Sequence, residues 1–562
     1  MKLHFEPNLD YQHAAIEAVC DLFQGQEICR TEFTVTQSFG GGQAALALEN
    51  ELGIGNRLQL LDDEILANLN KIQLRNGLRP SDSVASGDFT VEMETGTGKT
   101  YVYPRTIFEL NKRFGFTKFV IVVPSTAIKE GVYKSLQITE EHFRGLYAGV
   151  HFEYFLYDSS KLGQVRNFAT SPHIQIMVVA VGAINKKDVN NLYKDSEKTG
   201  GEKPVDLIRA TRPVLIVDEP QSVDGGLQGQ GKEALAAMSA LCTLRYSATH
   251  VDKHHMVFRL DAVDAYERRL VKQIEVAAAR VEGGHNKPYI GLISVANRAN
   301  RITAKVELDV QERRGVVRKA VSVKAGDDLE QLAGRALYSG YLVENIGCRP
   351  GHEFLQFTKE EHPLRIGQSI GGASAEGVKR EMIRRTIEEH LEKELRLAPQ
   401  GIKVLSLFFI DTVKHYSSYD DQGRPVKGDY ARWFEEEYAR IAASPRFRSL
   451  FRNVDVASTA QEVHDGYFSI DRSEKWIDAA ETNQGGRDSA ERAYNLIMKE
   501  KEKLLSFETK LKFIFSHSAL KERWDNPNVF QICALRDMGC ERERRQTIGR
   551  GLRLCVDQQG ER

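Results

Sequence analysis

Met93-Glu-Thr-Gly-Thr-Gly-Lys99-Thr100 follows the apolar run Asp88 to Val91 and precedes a stretch, Tyr101 to Phe114, with the pattern of a helix. Strand, glycine-rich turn and helix in that order are the setting of a phosphate-binding loop in an α/β fold. Glycines let the backbone wrap close to a polyphosphate, with its N–H groups pointing inward. On this reading Thr95, Gly96, Thr97 and Gly98 form the cradle. Lys99 reaches the β and γ phosphates, and the Thr100 hydroxyl holds Mg²⁺. The strict pattern has glycine where Met93 stands, so the loop does not decide the function by itself.

Two further stretches suit the same chemistry. The apolar run Pro213 to Val217 leads into Asp218-Glu219-Pro220-Gln221. A strand ending in adjacent acids places Asp218 beside a metal ion and Glu219 where it orients or deprotonates water. An acidic turn after a buried strand is the plain alternative. Near the C-terminus stands Gln546-Thr-Ile-Gly549-Arg550-Gly-Leu-Arg553, whose spacing predicts two arginines on one face of a helix. A guanidinium fork matches phosphate oxygens and stabilises charge on a transferring phosphoryl group. A solvated basic helix start competes with that reading, and the order of the three stretches favours the nucleotide site.

The 562 residues allow three or four domains, each with its own core. Lys+Arg 77 against Asp+Glu 78 leaves a net charge of −1, so a nucleic-acid groove would need local basic clusters. Seven scattered cysteines without a Cys-x-x-Cys pair indicate neither a zinc ribbon nor a disulfide framework. The N-terminus lacks an apolar signal core, and the most apolar run, Ile176 to Ile184, is too short to span a membrane. A cytoplasmic location is the expectation.

The expected fold class is α/β, two parallel-sheet lobes with a β-rich insertion between them. Phe119 to Val123, Ile174 to Ala180, Val214 to Val217 and Leu244 to Thr249 are short apolar runs of buried-strand type. They place a first lobe at 1–255, with an insertion at about 37–87 whose Gly40-Gly41-Gly42 and Gly53-Ile-Gly55 suggest loop. Residues 256–400 hold the β-rich insertion and a helix. Ile302 to Val310 and Val316 to Val323 predict a hairpin. Ser374 to Leu397 carries Val378, Met382, Ile383, Ile387, Leu391 and Leu395 on one stripe. Its charged face, Lys379, Arg380, Arg384 and Arg385, is expected to be solvated and not DNA-bound. The second lobe, 401–562, opens with the strand-like run Val404 to Ile410 and later offers Leu511 to Phe515.

The ordered set Gly-Thr-Gly-Lys-Thr, Asp-Glu-Pro-Gln, Ser247-Ala-Thr-His250 and Gln-x-x-Gly-Arg-x-x-Arg resembles a superfamily 2 helicase or translocase motor. Arg259-Leu-Asp-Ala-Val-Asp264, Val463-His-Asp-Gly-Tyr467 and Trp524-Asp-Asn-Pro-Asn528 narrow the resemblance to the restriction (Res) subunit of Type III restriction–modification enzymes. The resemblance covers nearly the whole chain. It implies RecA-like lobes, ATP with Mg²⁺ in the cleft between them, and DNA as the track. Gln12 in Asp10-Tyr11-Gln12 would read adenine, and Ser125 after the strand Phe119 to Val123 would contact DNA. Gln221, Ser247 and Thr249 would couple hydrolysis to lobe movement, and Asp218 would support the metal. Glu219 would position water, while Gln546, Arg550 and Arg553 would arrive from the second lobe. A modification (Mod) methyltransferase subunit is the implied partner.

Two departures stand out. Arg523 occupies a place where this family has glycine before tryptophan, which puts the geometry around Asp525 in question. Nine residues follow Arg553, leaving no room for the C-terminal endonuclease that the resemblance implies. Either the gene product is a motor alone or the chain is cut after the second lobe. A stand-alone helicase in repair or phage defence is the competing reading. A non-catalytic DNA-binding module with decayed motifs is the third, and intact Lys99, Glu219 and Arg550 argue against it.

Overall fold

The computed structural model describes residues 6–35, 51–84, 86–224, 229–277, 288–298, 301–312, 315–349, 353–360, 362–370, 375–419, 425–451, 456–467, 501–517, 526–538 and 541–561. A hairpin of β1 (Arg30–Val35) and β2 (Glu51–Asn56) precedes the main sheet of the N-terminal half. That sheet takes β3 (Asp88–Met93), β4 (Lys118–Val123), β5 (Phe152–Leu156), β6 (Ile174–Ala180), β7 (Val214–Asp218), β8 (Cys242–Ser247) and β9 (His255–Leu260). Their spatial order is β5-β6-β4-β7-β8-β3-β9, and every pairing is parallel.

Alternation along β4 explains why both faces are covered. Phe119, Ile121 and Val123 join one apolar core with helices Asp10–Cys20, Lys99–Phe114 and Thr126–Leu146. Val120 and Val122 join another with helices Gly163–Thr170, Pro204–Ala210 and Gln230–Ala237. A strand buried on both sides cannot carry polar side chains cheaply, and β4 and β6 are buried at every position.

Three details differ from the sequence reading. Gly53 and Gly55 lie within β2, with Gly53 opposite Phe33 across the hairpin, and are not loop. Helix Asp62–Arg75 also falls inside the expected insertion, whereas Gly40 to Gly42 lie outside the described residues. The last strand of the sheet, β9, runs to Leu260, past the expected lobe boundary at 255.

Beyond it, β10 (Ile290–Arg298), β11 (Arg301–Glu312) and β12 (Gly315–Val323) form an antiparallel meander containing the expected hairpin. A second small sheet, β13 (Val343–Gly347), β14 (Phe354–Phe357) and β15 (Leu364–Arg365), is also antiparallel. Strand β16 (Ser369–Ile370) returns to pair with β10. Leu292, Val306, Leu308, Tyr338, Leu355 and Phe357 close one core between the two sheets.

The C-terminal half holds the second parallel sheet, made of β17 (Leu405–Phe409), β20 (His464–Tyr467), β21 (Phe513–Ser516) and β22 (Val529–Ala534). Its order is β20-β21-β17-β22, and a short hairpin of β18 (Ser417–Tyr419) and β19 (Pro425–Lys427) lies beside it. Helix Ala375–Leu397 buries Ile383, Ile387 and Leu391 in one core with Phe408 and Phe513, so its stripe covers this sheet. Its charged face is not simply solvated. Lys379 pairs with Asp411, Arg380 with Glu436 and Glu437, Arg384 with Glu381 and Glu388, and Arg385 with Glu388 and Glu389.

The fold is therefore α/β, two parallel-sheet lobes separated in sequence by a β-rich segment.

Candidate nucleotide site

The loop after β3 turns at Gly96 and Gly98, whose φ angles are 90° and 98°. L-residues rarely adopt this left-handed region, which glycine enters without steric cost. Gly98 caps helix Lys99–Phe114, so the loop feeds straight into a helix N-terminus with N–H groups unsatisfied within the helix. Close approach adds a second reason for glycine here: a Cβ at residue 98 would lie 2.5 Å from Nε2 of Gln12. That amide donates to the Thr97 carbonyl at 3.1 Å, which ties helix Asp10–Cys20 to the loop. Lys99 is buried, and its Nζ donates to the Met93 carbonyl at 3.0 Å and stands 4.0 Å from Oε1 of Glu219. Thr95 and Thr100 are half-buried in the loop wall, and Thr97 is buried.

Asp218 ends β7 with its side chain wholly buried. Glu219 follows with φ at 54°, a strained value for a non-glycine residue, and its N–H donates to the Tyr246 carbonyl at 2.9 Å. Its carboxylate is fixed from the neighbouring strand end. Oε2 accepts from Gln221 Nε2 at 2.6 Å and from the Ser247 hydroxyl at 2.7 Å. Gln221 also donates to the hydroxyls of Ser247 and Thr249, at 3.0 and 3.2 Å. Adjacent His250 bonds the Val91 carbonyl at 3.2 Å, and burial pushes its ring below the usual imidazole range.

From the second lobe, helix Glu541–Gly549 ends beside the same loop. A Cβ at Gly549 would lie 3.0 Å from Cγ2 of Thr95, and one at Gly96 would lie 3.3 Å from both N and Cγ of Arg553. The helix stops at Gly549, so Arg550 lies in a turn and Arg553 in an antiparallel bridge with Val271. The expectation that both arginines share a helix face is therefore corrected. The chain turns after Gly549 and lays the Arg553 backbone along the loop. Arg550 is buried, Arg553 is half-buried and Gln546 is exposed.

Ser125 caps helix Thr126–Leu146 by accepting from Ile128 N–H at 3.4 Å, just past the C-terminal end of β4. Arg523, Trp524 and Asp525 lie outside the described residues. Asn528 of the same stretch is buried and exchanges two 2.9 Å bonds with the backbone of Val556. Sequence reasoning missed that role, and it missed Glu94, whose carboxylate accepts from Thr95 N–H at 2.6 Å and faces Arg545 at 3.7 Å. It also assigned nothing to Leu270, Val271 and Lys272, of which the last two meet the Arg553 segment.

These residues fit a magnesium nucleotide. The donors at the loop are hard oxygens, the Thr100 hydroxyl and the Asp218 and Glu219 carboxylates, which suit Mg²⁺ better than soft metals. Gln12 keeps its buried Oε1 without a hydrogen-bond partner, an acceptor matched to an exocyclic amino group. The two left-handed glycines leave the loop the open curvature that a polyphosphate needs.

Residues 7–251, which carry the glycine-rich loop and Glu219, match the family described as Type III restriction enzyme, res subunit. The chain is similar to this family over those residues. It is 31% identical to the Escherichia coli Type III restriction-modification enzyme EcoP15I Res subunit, over 98% of this chain and 55% of that one. It is 30% identical to the EcoPI Res subunit of Escherichia phage P1, over 99% of this chain and 55% of that one. The chain thus spans about half the length of the curated relatives it matches. Among solved structures, the DEAD-box helicase Mss116 bound to ssRNA and UDP-BeF superposes with a TM-score of 0.37 at 12% identity. That match covers 86% of this chain and 68% of Mss116. No helix among the described residues is long and apolar enough to cross a membrane.

Proposed function

We propose that this chain is the ATP-hydrolysing motor of a Type III restriction–modification complex, moving or switching on DNA. One observation carries the reading: the phosphate loop, Glu219 and the Gly549–Arg553 turn of the other lobe meet at a single place. Lys99 would leave Met93 and Glu219 to hold the β and γ phosphates. Gln12 would accept from the adenine amino group, and Thr100 with Asp218 would hold Mg²⁺, whose charge neutralises the phosphate oxygens. Glu219, locked by Gln221 and Ser247, would orient the attacking water and take its proton. Arg550 and Arg553 would face the γ-phosphoryl group when the lobes close, and Gln546 would join them.

Since Ser247 reaches Glu219 directly and Thr249 reaches it through Gln221, a shift of the strand end would be felt at the attacking water. That gives lobe movement a path to chemistry. DNA would lie past the C-terminal strand ends near Ser125, and a Mod methyltransferase would supply sequence recognition. Steady-state ATP hydrolysis with and without duplex DNA, alongside Lys99→Ala, tests the reading. A DNA-stimulated rate abolished by Lys99→Ala supports it. Hydrolysis that survives Lys99→Ala would refute it.

A further inference from the structure

Leu270, Val271 and Lys272 are consecutive, yet each one engages a different body. Leu270 packs against the core of the first sheet. Val271 closes a small apolar cluster with Ala265, Ile548 and Leu552 and bridges to Arg553. Lys272 engages the second lobe: its backbone N–H donates to the Leu552 carbonyl at 2.8 Å. Its Nζ donates to the carbonyls of Pro527 at 2.5 Å and Val529 at 2.8 Å, and lies 4.2 Å from the centre of the Phe530 ring.

A strained corner precedes this stretch, since Arg269 holds φ at 56°. Such strain persists only where the surroundings over-determine it. Burial pushes the Lys272 ammonium down to about 7, so an apolar side chain would fill the space at less cost. What an apolar side chain could not do is bind two carbonyls at the start of β22. Between those carbonyls, Asn528 fastens Val556, so Lys272 and Asn528 grip the chain on both sides of Arg553.

We propose that Leu270-Val271-Lys272 is a strap that sets Arg553 against Gly96, with Lys272 as its positioning residue. The strap joins the first core to the arginine turn directly, without passing through the β-rich segment. It would keep the arginine turn in register while the lobes open and close. The inference deepens the ATPase reading above and rests on it.

The experiment uses the full chain with Lys272→Met and Lys272→Arg. Lys272→Met should lower kcat for ATP at least about tenfold with KM within about twofold, because a small misplacement of a positioned group costs that much. Its thermal midpoint should stay near that of the parent, and Lys272→Arg should recover most of the rate. A Lys272→Met rate within about twofold of the parent overturns the strap. If the parent hydrolyses no ATP, the ATPase reading fails, and amide exchange then tests the strap alone. In Lys272→Met the amides of residues 549–556 should exchange at least about tenfold faster, with the first sheet unchanged. Equal exchange would overturn the strap. If Lys272→Met fails to fold, Phe530→Leu, which removes the ring facing the ammonium, carries the same expectations.

Discussion

The Ser247 hydroxyl donates to Oε2 of Glu219 at 2.7 Å, joining the end of β8 to the acid after β7. Gln221 reaches the same oxygen, so Glu219 is held by two donors while its backbone stays in a left-handed conformation. Removing Ser247 would leave Gln221 as the only one of these two donors. Ser247→Ala should reduce kcat about tenfold or more while nucleotide affinity holds, as expected for a group that orients a base and does not bind substrate. Steady-state kinetics with a nucleotide titration would show the split, and a matched loss of affinity would assign Ser247 to binding instead.

Gly98 faces two constraints at once, a φ of 98° and the Gln12 amide 2.5 Å from where a Cβ would stand. Gly98→Ala should displace Gln12 and straighten the loop. Affinity for a fluorescent ATP analogue should fall at least about tenfold, the equivalent of ~1.4 kcal/mol. The thermal midpoint should change little, since the loop lies outside the sheet, past the C-terminal end of β3. Unchanged affinity would mean that the loop does not cradle phosphate.

Glu219→Gln should stop hydrolysis yet keep the nucleotide bound, because the amide preserves shape and loses the base. Lys99→Ala should lose both binding and turnover. Single-turnover assays with filter retention distinguish the two. Turnover by Glu219→Gln at the parental rate would remove Glu219 from its assigned role.

Asp411, after β17, accepts from Lys379 at 2.7 Å, from the His415 ring at 2.8 Å and from the Thr412 N–H at 2.8 Å. Burial alone would raise its carboxyl, but these donors outweigh it and hold the group well below the usual carboxylate range. A carboxyl lowered on folding stabilises the native state above the unfolded value and loses that contribution as pH falls through the folded one. Asp411→Asn should therefore cost about 1–3 kcal/mol in urea unfolding at neutral pH. The gap should narrow steadily below about pH 4. A gap that stays constant into strong acid would show that the loss is steric.

Phe515 is fully buried, with the Phe408 ring stacked 4.4 Å away and Tyr416 at 4.7 Å. Phe515→Ala should cost about 3–5 kcal/mol, the range for truncating a core aromatic. Denaturant unfolding followed by probes in each lobe would register the loss in the second sheet first. Simultaneous loss in both lobes would show that they unfold as one unit.

The sequence by itself determined the strands, the glycine-rich loop after β3 and the acids after β7, because each is written in neighbouring residues. Unbroken apolar runs such as Phe119 to Val123 cannot stay in water, and Gly-Thr-Gly-Lys-Thr needs no distant partner to be legible. The stripe of helix Ala375–Leu397 was equally plain, but not what it would cover. Period 3.6 marks an apolar face and says nothing of which sheet receives it. Only the tertiary structure decided that Arg550 and Arg553 leave the helix at Gly549, whose missing side chain allows close contact with Thr95. It alone brought Ser247 to Glu219, Arg553 to Gly96 and Lys272 to Pro527. These contacts join residues far apart in the chain, and several run to backbone atoms, which every residue carries alike. No local pattern of side chains could announce them.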